Sequence, residues 1–320
     1  MSGTSTTIYR LYALALALVL LGVVAIAAPA AHASCSGVTP VSNETQLNAA
    51  IVAYNATTTT PCVFTIQLTA DINLTASTTS ILNSTANVSL VIKGAGFTVN
   101  GQNISGVRPF ELASSNNRPV TFNQITITGG YVPGQPGGGI ASQGGALIVT
   151  NSTITGNRAD TGGGISICSL LGCGLTLQNS TISGNRADSS FGGGILTSGP
   201  ATIDSSTIVD NQACSACGGA LGVTSGNATV TNSILANSTE PGGGASVPDC
   251  RTLSATVTDG GYNLVETPGS TCSFTATSSI TSQYRVLGTR ASNGARRRRT
   301  AGRARAGSAP KALRRCRVTN

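Results

Sequence analysis

The feature that most constrains this chain is a repeat of about 27 residues that recurs five times. The repeats begin at Asn123, Asn151, Asn179, Ser205 and Asn232, and the third reads NSTISGNRADSSFGGGI. Two apolar columns run through them with the same spacings of 27, 28, 26 and 27 residues. The first column is Phe122, Val149, Leu177, Ile203 and Val230, and the second is Ile127, Ile154, Ile182, Ile208 and Leu235. Because both columns keep the same spacings even where the repeats differ in length, we conclude that the repeat reflects a repeated structural unit.

The pattern inside each repeat indicates short strands. Apolar residues alternate with Ser, Thr or Asn, as at Leu147 and Val149, and Gly triplets separate the runs. Helical repeats need long amphipathic stretches, which are absent, and a propeller blade needs about 40 to 50 residues. Aromatic residues make up only 4% and charged residues 9% of the chain, which also disfavours a helical bundle. We therefore predict an all-β fold, a parallel β-helix solenoid of about eight coils.

The same pattern predicts how the coils stack and how the stack ends. Strands pair with their copies one coil on, so the apolar columns become buried ladders. Polar ladders are expected at the turns, one of Asn157, Asn185 and Asn211 and one of Asn151, Asn179, Ser205 and Asn232. Residues 34–61 are predicted to be an N-terminal cap and residues 43–55 its short helix, with Asn43 as N-cap and one face of Leu47, Ala50, Ile51 and Tyr54. The parallel β-helix is assigned to residues 62–248 and a C-terminal coil and cap to residues 249–294.

Residues 1–33 are predicted to be a secretory signal peptide. Arg10 precedes an apolar run over residues 11–28, and Ala31, His32 and Ala33 form a cleavage signal. No integral membrane span is expected after cleavage. Two alternatives stay open: the apolar run remains as a signal anchor, or Cys35 carries a lipid.

Nine cysteines agree with export, because eight of them fall in near-neighbour couples and one, Cys316, lies in the tail. An alternative is a metal site built on Cys214 and Cys217. The candidate disulfide couples are Cys35 with Cys62, Cys168 with Cys173, Cys214 with Cys217, and Cys250 with Cys272.

The net charge of +8 belongs to the C-terminal tail. Residues 285–320 carry twelve of the nineteen Lys and Arg and none of the eleven acids, so the rest of the chain is slightly acidic. We therefore expect no nucleic-acid partner for the body of the protein. Residues 295–320 are predicted to be a basic, disordered tail. It is either the product of a reading-frame shift near Asn293 or a native tail for an anionic surface polymer.

The repeats resemble those of bacterial secreted right-handed parallel β-helix proteins, of the kind with polymorphic-outer-membrane-protein repeats. The resemblance rests on NSTISGN…GGGI, on GGAL at residues 144–147 and 218–221, and on Ile-x-x-Asn at Ile154 and Ile182, where that family has Phe. The segment from Asp249 to Phe274 is similar to the C-terminal part of surface proteins with variable anchors. Covering about residues 35–294, the resemblance implies a right-handed helix and an exported, surface-associated protein, with outer-membrane location as one form of it.

The only charged cluster in the repeats is a candidate ligand-binding patch. Arg158, Asp160, Arg186 and Asp188 occupy matching places in adjacent repeats, and stacking would place them in a square of alternating charges on the surface. Such a square could hold a sugar acid or one Ca²⁺, or it could be a solvated turn. We predict no catalytic residues, no metal and no cofactor, with Ca²⁺ expected only if the protein is a polysaccharide lyase.

These observations predict a secreted or cell-surface protein that acts in adhesion or in binding an extracellular polymer, without catalysis. Its partners would be an extracellular polysaccharide or the surface of a host or neighbouring cell. One alternative is a polysaccharide lyase or hydrolase on the same scaffold. A second is a structural stalk at the cell surface.

Overall fold

A computed structural model of the chain describes residue 35 and residues 37–170 and 172–281. They form a β-solenoid of about eight turns, in which the strands of successive turns pair in parallel. The described residues contain one helix, α1 (Glu44–Asn55). They include no helix that is long and apolar enough to cross a lipid bilayer. The predicted signal peptide (1–33) and basic tail (295–320) lie outside the described residues.

Two nine-stranded sheets run the length of the solenoid. Sheet A consists of β1 (Val38–Val41), β2 (Cys62–Leu68), β4 (Val88–Lys93), β7 (Val120–Asn123), β11 (Ala146–Thr150), β15 (Gly174–Gln178), β19 (Ala201–Asp204), β22 (Asn227–Thr231) and β25 (Thr256–Asp259). Sheet B consists of β3 (Ile72–Asn73), β5 (Thr98–Asn100), β8 (Thr126–Thr128), β12 (Thr153–Thr155), β16 (Thr181–Ser183), β20 (Thr207–Val209), β23 (Ile234–Ala236), β26 (Leu264–Val265) and β27 (Ile280–Thr281).

Two shorter sheets complete the coils. Sheet C consists of β6 (Phe110–Leu112), β10 (Ile140–Ser142), β14 (Ile165–Ile167), β18 (Ile195–Thr197), β21 (Leu221–Val223) and β24 (Cys250–Thr252). Sheet D consists of β9 (Tyr131–Pro136), β13 (Arg158–Thr161) and β17 (Arg186–Ala187). The interpretation of the NRAD segments as plain turns was therefore wrong, because Ala159 and Ala187 pair across β13 and β17 and are both fully buried.

Both apolar columns predicted from the repeat form the core. Val149 pairs with Phe122 and Leu177, and Ile154 pairs with Ile127 and Ile182. All ten members are 0% exposed, and each fully buried side chain contributes roughly 1.5–3 kcal/mol. Sheet C adds a third buried column, which consists of Phe110, Ile140, Ile165, Ile195, Leu221 and Cys250.

At the turns between sheets, polar side chains of successive coils form ladders of hydrogen bonds. The predicted inner ladder is confirmed: Asn157 Nδ2 donates to Asn185 Oδ1 at 3.0 Å, and Asn185 Nδ2 to Asn211 Oδ1 at 3.1 Å. In the predicted outer ladder, Asn179 Nδ2 donates to Asn151 Oδ1. A further ladder was not predicted, in which the backbone N–H of one buried serine donates to the hydroxyl of the serine one coil on. Its members are Ser152, Ser180, Ser206 and Ser233.

The Gly triplets have two separate structural roles. Gly162 has a φ of +56°, which favours glycine, and so it turns the chain between sheets D and C. Gly163 lies so close to the next coil that a Cβ on it would meet Arg186 O at 2.3 Å. The triplet therefore allows the coils to approach each other where sheet D ends.

The predicted helix is present as α1, with Asn43 as its N-cap residue. Asn43 Oδ1 accepts the Gln46 N–H at 3.0 Å, and Gln46 Oε1 accepts the N–H of Ser42 at 2.8 Å. The arrangement resembles a capping box, but the return bond goes to the residue before the N-cap. The helix face that is buried comprises Leu47, Ala50, Ile51 and Tyr54.

All four predicted cysteine couples are disulfides: Cys35–Cys62, Cys168–Cys173, Cys214–Cys217 and Cys250–Cys272. The bond between Cys214 and Cys217 leaves no thiolates for the alternative metal site. Cys250 lies on β24 and Cys272 in the loop after β26, so this bond ties the last coil to the C-terminal segment.

Candidate functional site

The predicted charged patch lies on and beside sheet D. Arg158 and Arg186 occupy paired positions on β13 and β17. Asp188 lies between them, with Oδ2 2.8 Å from Arg158 Nε and Oδ1 2.6 Å from Arg186 Nε. The structure thus brings three of the four predicted residues together.

The fourth predicted residue, Asp160, makes a different contact. Its carboxylate accepts a hydrogen bond from the Ser189 hydroxyl. The square of alternating charges therefore does not form. The backbones of the two coils stay hydrogen-bonded beyond β17, because the Asp188 N–H donates to Ala159 O at 2.9 Å and the Ser189 N–H donates to Asp160 O at 3.2 Å. The Ser189 side chain therefore lies beside the Asp160 carboxylate, while the Asp188 carboxylate is occupied by the two guanidinium groups.

The charges of the patch are largely compensated within it. The hydrogen bond to Asp188 raises the pKa of Arg158, and the Arg158 Cζ atom lies 4.7 Å from the centroid of the Tyr131 ring one coil earlier. The guanidinium thus covers a ring face that a sugar could otherwise stack on. Because both carboxylate oxygens of Asp188 accept from guanidinium groups, the arrangement disfavours Ca²⁺ at this carboxylate. Exposed ion pairs of this kind contribute about 0–1 kcal/mol each.

A longer candidate surface is the outward side of sheet A. One outward residue of each strand from β2 to β25 stacks on the equivalent residue of the next coil, and every one is β-branched. At about 4.8 Å per step, the seven steps extend for about 34 Å. This central column consists of Thr65, Val91, Thr121, Ile148, Thr176, Thr202, Thr229 and Thr258.

A polar column runs beside the central one at the C-terminal ends of the strands. Its amides and hydroxyls repeat along the axis, and Asn123 Nδ2 donates to Thr150 Oγ1 at 2.8 Å. Lys93 and Asp204 are its charged members. It consists of Gln67, Lys93, Asn123, Thr150, Gln178, Asp204 and Thr231. We call the two columns together the sheet A face.

A shallow, polar hollow lies at the corner where sheet A meets sheet B. The corner after β4 comprises four residues (94–97), whereas the corners of the next two coils comprise two each (124–125 and 151–152). The hollow is lined by Ala95, Gly96, Gln124, Ile125, Thr126, Asn151 and Thr153.

Two buried acids lie near the C-terminal end and were not singled out in the sequence. Asp249 is 0% exposed and accepts the N–H groups of Ser238 and Thr267. Burial, with a smaller contribution from the nearby Glu266, outweighs the hydrogen bonds to the carboxylate and raises the pKa of Asp249 to about 6. Glu266 in turn accepts the Asn237 N–H at 2.7 Å. Raised carboxyl pKa values accompany functional sites, but these carboxyls are enclosed and hold the backbone of one loop.

Within the described ranges, no group of three or more His, Cys, Asp or Glu residues is placed to hold a metal ion. The elongated sheet A face and the charged patch on sheet D are therefore the surfaces from which a function is argued. Compared with known proteins, the chain matches no family model, no curated protein and no solved structure.

Proposed function

We propose that this protein is a secreted or cell-surface solenoid that binds an extended extracellular polymer along the sheet A face, without catalysis. The ligand class is a neutral polysaccharide, free or on the surface of a host or neighbouring cell. The observation that carries the proposal is the central column, an uninterrupted row of β-branched side chains along eight coils.

The chemistry of the face suits such a ligand. Thr offers a methyl group for the apolar faces of sugar rings and a hydroxyl for their polar edges. The neighbouring column adds amides, including Asn123 and Gln178, at the same spacing. Since Lys93 and Asp204 have opposite signs, the face carries no net charge, and a polyuronate has no positive surface to bind there.

Several independent features support the extracellular setting. The disulfides suit an oxidising compartment. The predicted signal peptide and the resemblance to surface β-helix proteins indicate the same location, with attachment to the outer membrane as one form of it.

The experiment is a binding assay against a panel of insoluble and soluble polysaccharides, with one variant in the middle of the face. Thr202→Lys places a long charged side chain between Thr176 and Thr229, and we expect it to weaken binding by about 1–3 kcal/mol, as for a central interface residue. Thr153→Lys on sheet B is the matched control, because Thr153 is also an outward strand Thr, at the start of β12, and lies on another sheet.

Two further assays separate the alternatives. Arg158→Ala removes the centre of the charged patch, and we expect it to leave binding of neutral polymers unchanged. Cleavage of any polymer in the panel, with or without Ca²⁺, would contradict the proposal in favour of a lyase or hydrolase. Absence of binding across the whole panel would favour the stalk.

A further inference from the structure

The outward side of sheet B carries a second ordered array, separate from the sheet A face. Strands β8 and β12 both read Thr-Ile-Thr, with the Ile buried and both threonines outward and half-buried. The first of these two places also carries Thr on β5 (Thr98) and β16 (Thr181), whereas the second carries Asn100 and Ser183. We define the threonine face as Thr98, Thr126, Thr128, Thr153, Thr155 and Thr181.

This array is regular in two directions. Equivalent threonines on successive coils are about 4.8 Å apart, and the two outward threonines of one strand are about 6.6 Å apart. Thr is stiff at χ1 because it is β-branched, and Ile127 and Ile154 beneath are 0% exposed. The hydroxyls and methyls are therefore held in a rigid lattice.

The hydroxyls of the array are available to solvent. Within the part of the chain that the structure describes, those of Thr126, Thr128 and Thr153 have no hydrogen-bond partner in the protein. The one side-chain bond within the array is from Ser183 Oγ to Thr155 Oγ1 at 3.3 Å, at its C-terminal border. None of the six side chains is charged. The array ends at the N-terminal side with Asp71, whose carboxylate accepts the Thr98 N–H at 2.7 Å, so a charge lies at its border and not within it.

The spacing of the array matches ordered water. Hydrogen-bonded oxygens are about 2.8 Å apart, and tetrahedral geometry then places two waters bound to a common third about 4.6 Å apart. This distance is close to the step between coils, so successive hydroxyls can bond to alternate waters of one row. A single polymer chain uses one column, whereas a crystal face meets both columns at once. From this match along the axis, and from the second row of threonines beside the first, we propose that the threonine face binds the surface of ice.

The contrast with the sheet A face supports this assignment. The column beside Thr121 and Thr202 there includes Lys93 and Asp204, whose lengths and charges break any regular lattice. On sheet B, the two rows of β8 and β12 are identical. The proposal does not depend on polysaccharide binding by sheet A.

The test uses the full chain in ice-affinity partitioning and in measurements of thermal hysteresis. We expect the protein to enter growing ice and to shape the crystals. Thr153→Lys raises a side chain above the plane and should reduce partitioning at least about tenfold, the size of a central contact in an interface. The matched control is Thr176→Lys on sheet A, which should partition like the original protein. Circular dichroism confirms that both variants fold.

Three outcomes would overturn the proposal. In the first, the original protein is excluded from ice and shows no thermal hysteresis. In the second, both lysine variants lose partitioning into ice to the same extent. In the third, the original protein has no effect on ice but binds a crystalline polysaccharide, and Thr153→Lys abolishes that binding. The last outcome would assign the face to a solid polymer. Because polymer binding by sheet A is measured with Thr202→Lys, failure of either proposal can be recognised separately.

Discussion

The two ends of the solenoid are closed by different kinds of contact. At the N-terminal end, α1 lays four apolar residues on the first coils, with the Tyr54 ring 6.0 Å from that of Phe64. At the C-terminal end there is no helix among the described residues. Instead, the Asp259 carboxylate accepts hydrogen bonds from the Ala276 N–H and the Ser279 hydroxyl, and the Cys250–Cys272 disulfide ties the loop to β24.

The comparison shows two ways to cover the same edge. Strand edges at the end of a stack must be covered or they recruit other chains. A helix does so with apolar area, which has no direction and depends little on pH. An irregular loop has little apolar area, so it depends on directed polar contacts and on a covalent link. The N-terminal end also has a disulfide, Cys35–Cys62, so the two ends should differ in their response to truncation and pH more than to reduction.

The largest effect is expected at the N-terminal cap. Tyr54→Ala removes a fully buried ring and its contact with Phe64, and we expect a loss of about 3–5 kcal/mol in the free energy of unfolding, measured by urea titration. Val52→Ala on the same helix is the control, because Val52 is 54% exposed and its loss should lie within about 0.5 kcal/mol. Equal losses in the two variants would show that the helix is not a packed lid.

The disulfides differ in the length of chain that they close. Replacing Cys250 and Cys272 by Ala opens a loop with a sequence separation of 22, and the loss should be about 3 kcal/mol. Replacing Cys168 and Cys173 opens one with a separation of 5, and the loss should be about 2 kcal/mol. The measurement is urea unfolding of both double variants. A larger loss for the shorter loop would contradict the view that the C-terminal cap needs its covalent link.

Asp249 should make the C-terminal cap weaker as the pH rises. Its folded pKa of about 6 is above its ordinary value of 3.8, so the folded state binds the proton more tightly than the unfolded state. The associated stability is fully present below about pH 4 and is lost as the pH rises through about 6, and it amounts to at most about 3 kcal/mol.

The measurement for Asp249 is the free energy of unfolding between pH 4 and pH 7, in the original protein and in Asp249→Asn. The variant cannot ionise, so its profile should be flatter over this range. It also loses an acceptor for Ser238 or Thr267, so its absolute stability at pH 4 should be lower. A profile with the same slope in both proteins would contradict the assignment.

The repeat made most of the scaffold predictable, because the residues of one buried column recur at nearly constant spacing in the sequence. The five members of the Ile154 column and the three of the Asn157 ladder recur in consecutive coils and were found in that way. The helix was found from Asn43 and Gln46, which form a local capping signal. The threonine face could also have been found, since a threonine stands on each side of Ile127 and Ile154.

The features that could not be predicted lie in segments that do not follow the regular repeat. Asp249 and Thr267 meet across an irregular segment, and no spacing relates them. Sheet D was missed because its strands are short and its inward residues are the small Ala159 and Ala187, which give little apolar signal. The contact of Asp160 with Ser189 could not be predicted either, because Ser189 stands in a part of the repeat that differs from coil to coil.

The smallest effect is expected at Glu44, the first residue of α1. Burial raises the pKa of the Glu44 carboxyl, but the hydrogen bonds from Thr75 and Ala76 lower it by more. The pKa of Glu44 therefore lies below its ordinary value of 4.5. Its stabilisation is therefore present at neutral pH and is lost as the pH falls below that value, the opposite direction to Asp249. Because the group is partly exposed, Glu44→Gln should cost only about 0.5–1 kcal/mol at pH 7 and nothing at pH 3. The control is Thr45→Ala in the same turn, whose effect should be the same at both pH values. Hydrogen exchange at the Thr75 and Ala76 amides is the measurement, and faster exchange in the variant at pH 3 as well as at pH 7 would show that the contact does not depend on charge.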